Sequence, residues 1–544
     1  MAQKYDYDYV IVGSRFGGSV SALRLAEKGY RVGVLECGRR FEDHDLAERL
    51  GQLRRTVWMP HLGLKGTLRL TAFKDIMILS GSGVGGGSLV YAQTLYRALP
   101  QFYEEWRKVS GDAADLDAYY DTAERMLGVV IHPHDTPADV LLRGVAEEMG
   151  VAETFHRAPV GVYFGEPGVT VPDPYFGGEG PPRAGCISCG QCTIGCRYNA
   201  KNTLPKNYLW LAERRGVKIL PDRTVTSIRP LGAADGSDGY AVTSERTGSW
   251  IRKERQTQTA RGVVVAAGPL GTNLLLARCK HGGTLPLISD RLGQLVRTNS
   301  ESLTAVTVPD DRGWSHSVAI TASIHPDPSS HSETVTYGSG GDLFGLLFTM
   351  LTGDGTRLTR PLKLLAQIVR HPVRFVRATD PRGWSRRSLI TGVMQTLEGS
   401  LSLVPKRSRL GGRLRLTTRQ DAEHPNPTFL PLANEVAQRL ADATGGIAQS
   451  WISEAALNIP VTAHILGGAV PATDPSRGVV DMNHRVFGYQ NLLVCDGSTV
   501  PANPGVNPAL TITAMAERAM AAVPTRQGAQ APEVGVEPSS SADR

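Results

Sequence analysis

The stretch Asp8-Tyr9-Val10-Ile11-Val12-Gly13-Ser14-Arg15-Phe16-Gly17-Gly18, continued by Ser19 to Lys28 and by Tyr30 to Glu36, decides the fold. Asp8 to Val12 is a short apolar run of the kind that makes a buried strand. Gly13 to Gly18 is a tight glycine turn, and Ser19 to Lys28 sets Val20, Leu23 and Leu25 at helical spacing. Tyr30 to Leu35 is a second strand that ends in Glu36. Strand, glycine turn, helix and acid-terminated strand together form the opening unit of a dinucleotide-binding fold. The helix N-terminus and bare turn amides suit a pyrophosphate, and the Glu36 carboxylate suits ribose hydroxyls. One position departs from G-x-G-x-x-G. Arg15 stands where the middle glycine lets the pyrophosphate approach the backbone. An arginine there points its side chain away, contacts phosphate, or weakens binding.

Two more glycine blocks extend this reading. Positions 81–87 of Ser80-Gly81-Ser82-Gly83-Val84-Gly85-Gly86-Gly87-Ser88 hold five glycines between apolar flanks. That much glycine costs conformational entropy, so the natural reading is backbone wrapping a ligand. Val263 to Ala267 is a third buried strand, followed by Gly268-Pro269-Leu270-Gly271-Thr272 and a helix through Leu274 to Ala277. The dinucleotide unit is therefore assembled from separate stretches of chain. Residues 300–325 and 388–418 alternate as strands do, in Ser317-Val318-Ala319-Ile320 and Arg413-Leu414-Arg415-Leu416-Thr417, and predict a substrate-domain sheet with a nearby helix from Phe429 to Ala443.

Composition excludes several classes. The 544 residues are 41 % hydrophobic and 20 % charged, too apolar for a disordered chain and long enough to fold without disulfides. Fifty-nine Lys+Arg against 52 Asp+Glu leave +7, a mildly basic surface that calls for no nucleic-acid partner. No apolar run reaches the ~20 residues of a membrane span, and no leader is visible, so a cytoplasmic location is expected. Seven cysteines argue against a disulfide framework, because four of them fall within eleven residues. Cys186, Cys189, Cys192 and Cys196 give C-x2-C-x2-C-x3-C, a spacing similar to ferredoxin runs that hold iron–sulfur clusters. Either three of them hold a cluster with an open or remote fourth ligand, or all four bind one site. Zinc is the alternative metal, and four buried free thiols the alternative without one.

Taken together the blocks resemble the glucose–methanol–choline (GMC) family of flavoprotein oxidoreductases, most closely its bacterial cholesterol oxidase branch, over residues 7–520. Gly13 to Gly18 with Glu36 resembles the family's FAD fingerprint, Gly81 to Ser88 its first signature, and Ala266-Ala267-Gly268-Pro269 with Leu274-Leu275 its second. Thr462-Ala463-His464-Ile465-Leu466-Gly467-Gly468, Asp496-Gly497-Ser498 and Gly505-Val506-Asn507-Pro508 resemble its C-terminal blocks. Arg15 departs from the family pattern, and so does Val90, where relatives usually carry asparagine.

The resemblance implies an α/β architecture. A Rossmann-like FAD-binding domain (1–150, 185–298 and 460–523, with the cysteine segment 186–196 inside it) would carry an inserted α+β substrate domain (299–459) with an antiparallel sheet and helices. A disordered tail is expected over 524–544. FAD would contact Gly13, Arg15, Gly18, Glu36, Gly81, Gly83, Gly86, Gly87, Ser88, Val225, Gly268, Asp496 and Asn507. The family reaction is oxidation of an alcohol by hydride transfer to FAD. His464 is then the expected proton acceptor, Asn507 a second hydrogen-bonding group at the hydroxyl or flavin edge, and Asp496 a residue that positions FAD. Cholesterol oxidases also shift a ring double bond, which needs a carboxylate; Glu333 is the candidate, with Glu301 and Glu398 as competitors.

A sterol or other bulky hydrophobic alcohol is the implied substrate. A cluster beside the flavin would pass electrons singly to a protein or quinone acceptor, as in an iron–sulfur GMC dehydrogenase of another alcohol. A protein that has lost catalysis and only binds sterol or lipid is the remaining alternative. Leu343 to Leu351 is apolar, and Arg357, Arg360, Lys363, Arg370, Arg374 and Arg377 follow among Leu364, Leu365, Ile368, Val373 and Phe375. Such mixing at helical spacing suits an anionic membrane surface or an amphipathic lid.

Overall fold

The computed structural model of the chain describes residues 4–408, 412 and 414–528. Its first sheet is built on the strand Tyr7–Val12, whose alternating side chains face two cores. Tyr9 and Ile11 join Val20, Leu23, Leu510 and Met515, beneath the helices Phe16–Glu27 and Ala509–Ala521. Val10 and Val12 join Val263, Val265, Leu275 and Leu276, beneath the helix Gly268–His281. A strand covered on both faces must be apolar throughout, which is why Asp8 to Val12 reads as a continuous run.

Five parallel segments make the core of this sheet, in the order Lys218–Leu220, Val32–Leu35, Tyr7–Val12, Val263–Val265 and Leu492–Val494. The strand Gln256–Val265 is shared: its second half pairs with Leu492–Val494, and its first half pairs antiparallel with Tyr240–Arg246, which in turn pairs with Arg223–Pro230. The glycine turns after Val12 and Val265 thus lie at the C-terminal ends of parallel strands, where the helices Phe16–Glu27 and Gly268–His281 begin. Arg24 of the first helix bonds Glu517 of the last at 2.7 Å, and the Tyr208 hydroxyl donates to the same carboxylate.

The second sheet is antiparallel, in the order Phe348–Met350, Ile447–Trp451, Ser302–Thr307, Ser388–Gln395, Ser330–Val335, Ile320–Ile324 and His156–Arg157. The helix Pro431–Thr444 packs on it. Two expectations are corrected here. The strand Leu414–Gln420 is not part of this sheet; it pairs with Leu401–Arg407 in a separate ribbon against the helix Gly268–His281. Alternation reports a two-faced strand but not which sheet receives it. Ser317 to Ala319 precede the strand, which starts at Ile320.

Of the segment 524–544, residues 524–528 are described and the rest lies outside the described residues. Pro524 accepts a hydrogen bond from the Tyr30 hydroxyl, and the Arg526 amide donates to the Lys28 carbonyl.

Candidate active site

The helix Phe16–Glu27 begins with no side-chain cap and no acid in its first turn. Its leading N–H groups are therefore left for an anion. A Cβ on Gly17 would stand 1.8 Å from the Cys495 carbonyl oxygen, so only glycine lets this turn seat against the end of Leu492–Val494. Glu36 is buried. Its Oε2 accepts from the Ser14 amide (3.0 Å) and hydroxyl (2.7 Å), and its Oε1 from the Gly38 amide (2.8 Å). Ser14 Oγ also accepts from the Gly85 amide at 3.1 Å, which ties the first glycine block to the second. Ser88 holds that second loop, donating to the Gly85 carbonyl and accepting from the Leu204 amide.

Arg15 does not turn away from the groove. Its side chain threads between glycine blocks: a Cβ on Gly86 would be 2.3 Å from Arg15 Cγ, and one on Gly268 3.1 Å from Arg15 Cδ. The guanidinium donates to the Gly81 carbonyl at 2.5 Å. Arg69 lies close by. Burial pulls its pKa down and the Arg15 charge adds to this, with Cys37 opposing. Among the described residues neither arginine pairs with a carboxylate. Two adjacent cations and an uncapped helix end form a donor set that fits a dinucleotide diphosphate, and the Glu36 carboxylate suits the adenosine ribose.

Asp496 is a clamp. Its four acceptor positions take Gly268 N, Thr272 Oγ1, Ser498 N and Ser498 Oγ, locking the end of Leu492–Val494 to the helix Gly268–His281. Val225 is a core residue packed with Val12 and Leu35, the latter just before Glu36. Val90 packs with Phe41, Leu46 and Leu89 beside the second glycine block.

His464 follows the short strand Val461–Thr462, with Nδ1 3.1 Å from Glu301 Oε2. That oxygen also accepts from Thr462 Oγ1 (2.8 Å) and the Ala463 amide (3.0 Å). Burial lowers the His464 pKa, but the Glu301 charge and hydrogen bond outweigh it, so the net shift is upward. Asn507 Nδ2 donates to Glu333 Oε1 at 3.1 Å, and its buried Oδ1 has no hydrogen-bond partner among the described residues. Glu333 is itself buried in the strand Ser330–Val335. The structure thus brings His464, Asn507, Glu333 and Glu301 together, although 206 positions separate Glu301 from Asn507. Glu398 lies at the surface, bonded to Lys108, and takes no part.

Sequence reasoning weighed Glu301 only as a rival to Glu333 and missed its place beneath His464. The signal is conformational. Asn299 (φ 61°) and Ser300 (φ 40°) are consecutive non-glycine residues in the left-handed region just before it. Each costs on the order of 1–2 kcal/mol. The loop leading to Asn507 holds the pair in place: the Asn299 amide donates to Asn503 Oδ1, Asn299 Nδ2 donates to the Val506 carbonyl, and the Gly505 amide donates to Asn299 Oδ1. One strained turn therefore sets both Glu301 and Asn507.

The metal reading of Cys186, Cys189, Cys192 and Cys196 is corrected. The four cysteines line one cavity of about 20 Å³, room for a single water and not for a cluster of iron and sulfide. Among the described residues no three His, Cys, Asp or Glu side chains are placed to hold a metal ion. Burial pushes the Cys186 thiol up to about 11 and raises Cys189 and Cys192. Cys192 packs with Val162, Ile194 and Val318, and Lys201 donates to its carbonyl at 2.8 Å. Spacing brings four cysteines around one small cavity, with Cys192 in an apolar core and Cys186 and Cys196 packed against it.

Family profiles described as GMC oxidoreductase match the chain at residues 9–163 and 183–289 and at residues 411–516. The chain is 47 % identical over 538 residues to a cholesterol oxidase of Mycobacterium tuberculosis, covering 96 % of this chain and 92 % of that protein. It is 43 % identical over 530 residues to a cholesterol oxidase of Acinetobacter baumannii, covering 96 % and 95 %. Among solved structures, pyridoxine 4-oxidase from Mesorbium loti matches with a TM-score of 0.58 and 15 % identity over 94 % of this chain and 98 % of that one, a likeness of fold.

Proposed function

The chain belongs to the GMC oxidoreductase family, and on that premise we propose that it oxidises the 3β-hydroxyl of a sterol with FAD as hydride acceptor. The observation that carries this reading is the buried cluster of His464 on Glu301 beside Asn507 on Glu333. The similarity to cholesterol oxidases over nearly the whole chain supports the sterol as substrate. FAD, when bound, supplies the two-electron acceptor for the carbinol hydride.

The Glu301 carboxylate 3.1 Å from Nδ1 favours a proton on that nitrogen of His464, leaving Nε2 as the acceptor of the hydroxyl proton. Asn507 Nδ2 holds Glu333 with one of its two N–H bonds, and its other N–H is free to donate to the hydroxyl oxygen and fix it while the hydroxyl proton faces His464. The C–H bond gives up its electron pair as hydride, the O–H bond its proton to His464, and the carbonyl forms. The Glu333 carboxylate then takes a proton from C4 of a 5-ene-3-ketone and returns it to C6, moving the double bond into conjugation.

Anaerobic addition of a 3β-hydroxysterol is expected to bleach the flavin band near ~450 nm. Bleaching by primary alcohols but not sterols would assign another substrate, and absence of flavin would favour a binding protein. We take dioxygen as the electron acceptor, since both relatives are named oxidases. Peroxide formed in step with product supports it; reoxidation only by quinone or a protein carrier would replace it.

Glu301→Gln provides a signed test. Its charge raises the His464 pKa, and the base works only when neutral, so kcat/KM climbs as pH rises through that pKa. Removing the charge lowers the pKa, and the acidic limb of the profile is expected to move to lower pH. An unmoved limb would detach Glu301 from His464.

A second reading concerns the surface. The helix Thr359–Arg370 buries Arg360 and turns Leu362 (64 % exposed), Leu365 (56 %) and Val369 (71 %) outward, in line with Leu358 (79 %) before it. The helix Pro372–Thr379 continues the stripe with Val373 and Val376. Lys363, Arg370, Arg374 and Arg377 are exposed alongside it. We propose that this basic amphipathic pair rests on an anionic bilayer, the source of an insoluble substrate. Among the described residues no helix is long and apolar enough to cross one. Arg370→Gln with Arg374→Gln and Arg377→Gln should weaken binding to anionic liposomes about a hundred-fold, at about 1 kcal/mol per basic residue. Unchanged co-sedimentation would sink this contact.

A further inference from the structure

Arg69 is a cation without a partner. It stands on the strand Leu68–Ala72, whose register sets Leu68 opposite Gly81 and Arg69 opposite Ser80 on the strand Met77–Gly81. Its guanidinium is half-buried, and among the described residues it makes no hydrogen bond and no ion pair. Arg15 reaches the same place from the first glycine turn. The Gly81 carbonyl that accepts from its guanidinium is one residue from the position facing Arg69, and it is the only hydrogen-bond partner of that guanidinium among the described residues. The two charges feel one another, since Arg15 helps burial to lower the Arg69 pKa against the opposing pull of Cys37. Glu36, the acid at the end of the neighbouring strand, does not neutralise them, because its oxygens are taken by Ser14 and Gly38. Two like charges held together, half out of water and with most of their N–H donors unused, are costly unless an anion joins them.

We propose that Arg15 and Arg69 form a guanidinium clamp for the FAD diphosphate, so that recognition which the glycine fingerprint gives to turn backbone is carried in this chain by two side chains. The proposal rests on FAD being the cofactor. In the fingerprint the middle glycine lets the pyrophosphate come against the backbone, and the Arg15 side chain removes that approach. The fold makes room for the arginine rather than expelling it: Gly86 and Gly268 lack the Cβ atoms that would meet its Cγ and Cδ. The Gly81 carbonyl keeps the Arg15 fork in the groove, so little side-chain freedom is left to lose when an anion binds. Planar guanidinium forks match phosphate oxygens in pairs, and two cations balance the two charges of a diphosphate. The helix Phe16–Glu27 starts directly after Arg15 with no acid in its first turn, so its positive end adds to the same field. Amides act as dipoles and guanidiniums as full charges. A clamp of this kind therefore makes FAD affinity depend on ionic strength.

The test is release of FAD from the full-length holoenzyme on dilution, with free flavin measured after ultrafiltration, at low and at high salt and with ADP as competitor. The wild type is expected to hold FAD more weakly as salt rises. Arg15→Gly, which restores the fingerprint glycine, should bind FAD about ten- to a hundred-fold more weakly, the range for lost hydrogen bonds to a charged group, and should lose much of the salt dependence. Arg69→Met should weaken FAD about ten-fold. ADP carries the diphosphate without the flavin, so its potency as competitor should fall in Arg15→Gly by the same factor as FAD affinity. A disturbance of the flavin end would leave ADP unchanged. FAD held as tightly or more tightly by Arg15→Gly, unchanged affinity in Arg69→Met, unchanged ADP potency, or release from the wild type that is indifferent to salt would each overturn the clamp. The salt series on the wild type needs no variant and stands even if one folds poorly. A wild type that takes up no flavin at all would instead remove the FAD reading on which the clamp rests.

Discussion

Changing His464 to asparagine is expected to lower kcat by about 10²–10⁴-fold, the usual worth of a positioned general base, while FAD stays bound. Asparagine has no nitrogen that can take the hydroxyl proton, so the C–H bond must break with the proton still in place. The fold should tolerate the change. Glu301 Oε2 keeps the Thr462 hydroxyl and the Ala463 amide when the imidazole is gone, so no bare carboxylate is left in the interior. The groups that suit the adenosine diphosphate, Arg15, Glu36 and the start of the helix Phe16–Glu27, are untouched by the change. The measurement is the anaerobic rate of flavin reduction by sterol, with the flavin spectrum of the variant as the control. Near-normal reduction would remove His464 as the base, and loss of flavin would make it a cofactor-binding residue.

The parts of this molecule that were legible in the sequence are those fixed by short-range rules. Asp8 to Glu36 folds as strand, turn, helix and strand because each period is local, and glycine is demanded by close approach, to backbone at Gly13, Gly17, Gly18 and Gly81 and to side chains at Gly83, Gly85 and Gly86. Glu36 was found because it ends a strand. Arg15 was visible as a departure but its direction was not, since that depends on the empty space above Gly86 and Gly268 far along the chain. Glu301 was out of reach as the partner of His464 because two left-handed residues aim it, and their conformation is held by a loop 200 residues away. The cysteines failed for a related reason. Spacing fixes how far apart sulfurs are along the chain, whereas ligation depends on the space they enclose, and here that space is about 20 Å³ with Cys192 in a core beside Val162 and Ile194.

Glu333→Gln is the second large effect. It should abolish the double-bond shift, by about 10³-fold or more if the carboxylate is the base, while sterol oxidation continues. The variant then releases the unconjugated 5-ene-3-ketone, which chromatography separates from the conjugated product. Glutamine keeps the size of the side chain and an oxygen to accept from Asn507 Nδ2, so the hydroxyl-orienting end of Asn507 stays in place. What is lost is proton affinity alone, and this is why oxidation and isomerisation should come apart. The rival carboxylate makes the opposite prediction. Glu301 is already committed to His464, Thr462 and Ala463, so Glu301→Gln should slow oxidation and shift its pH profile. If Glu301 were the isomerisation base instead, Glu301→Gln would release the unconjugated ketone and Glu333→Gln the conjugated one. The two variants run side by side assign each carboxylate to its own proton: Glu301 to the one leaving oxygen through His464, Glu333 to the one moving between ring carbons.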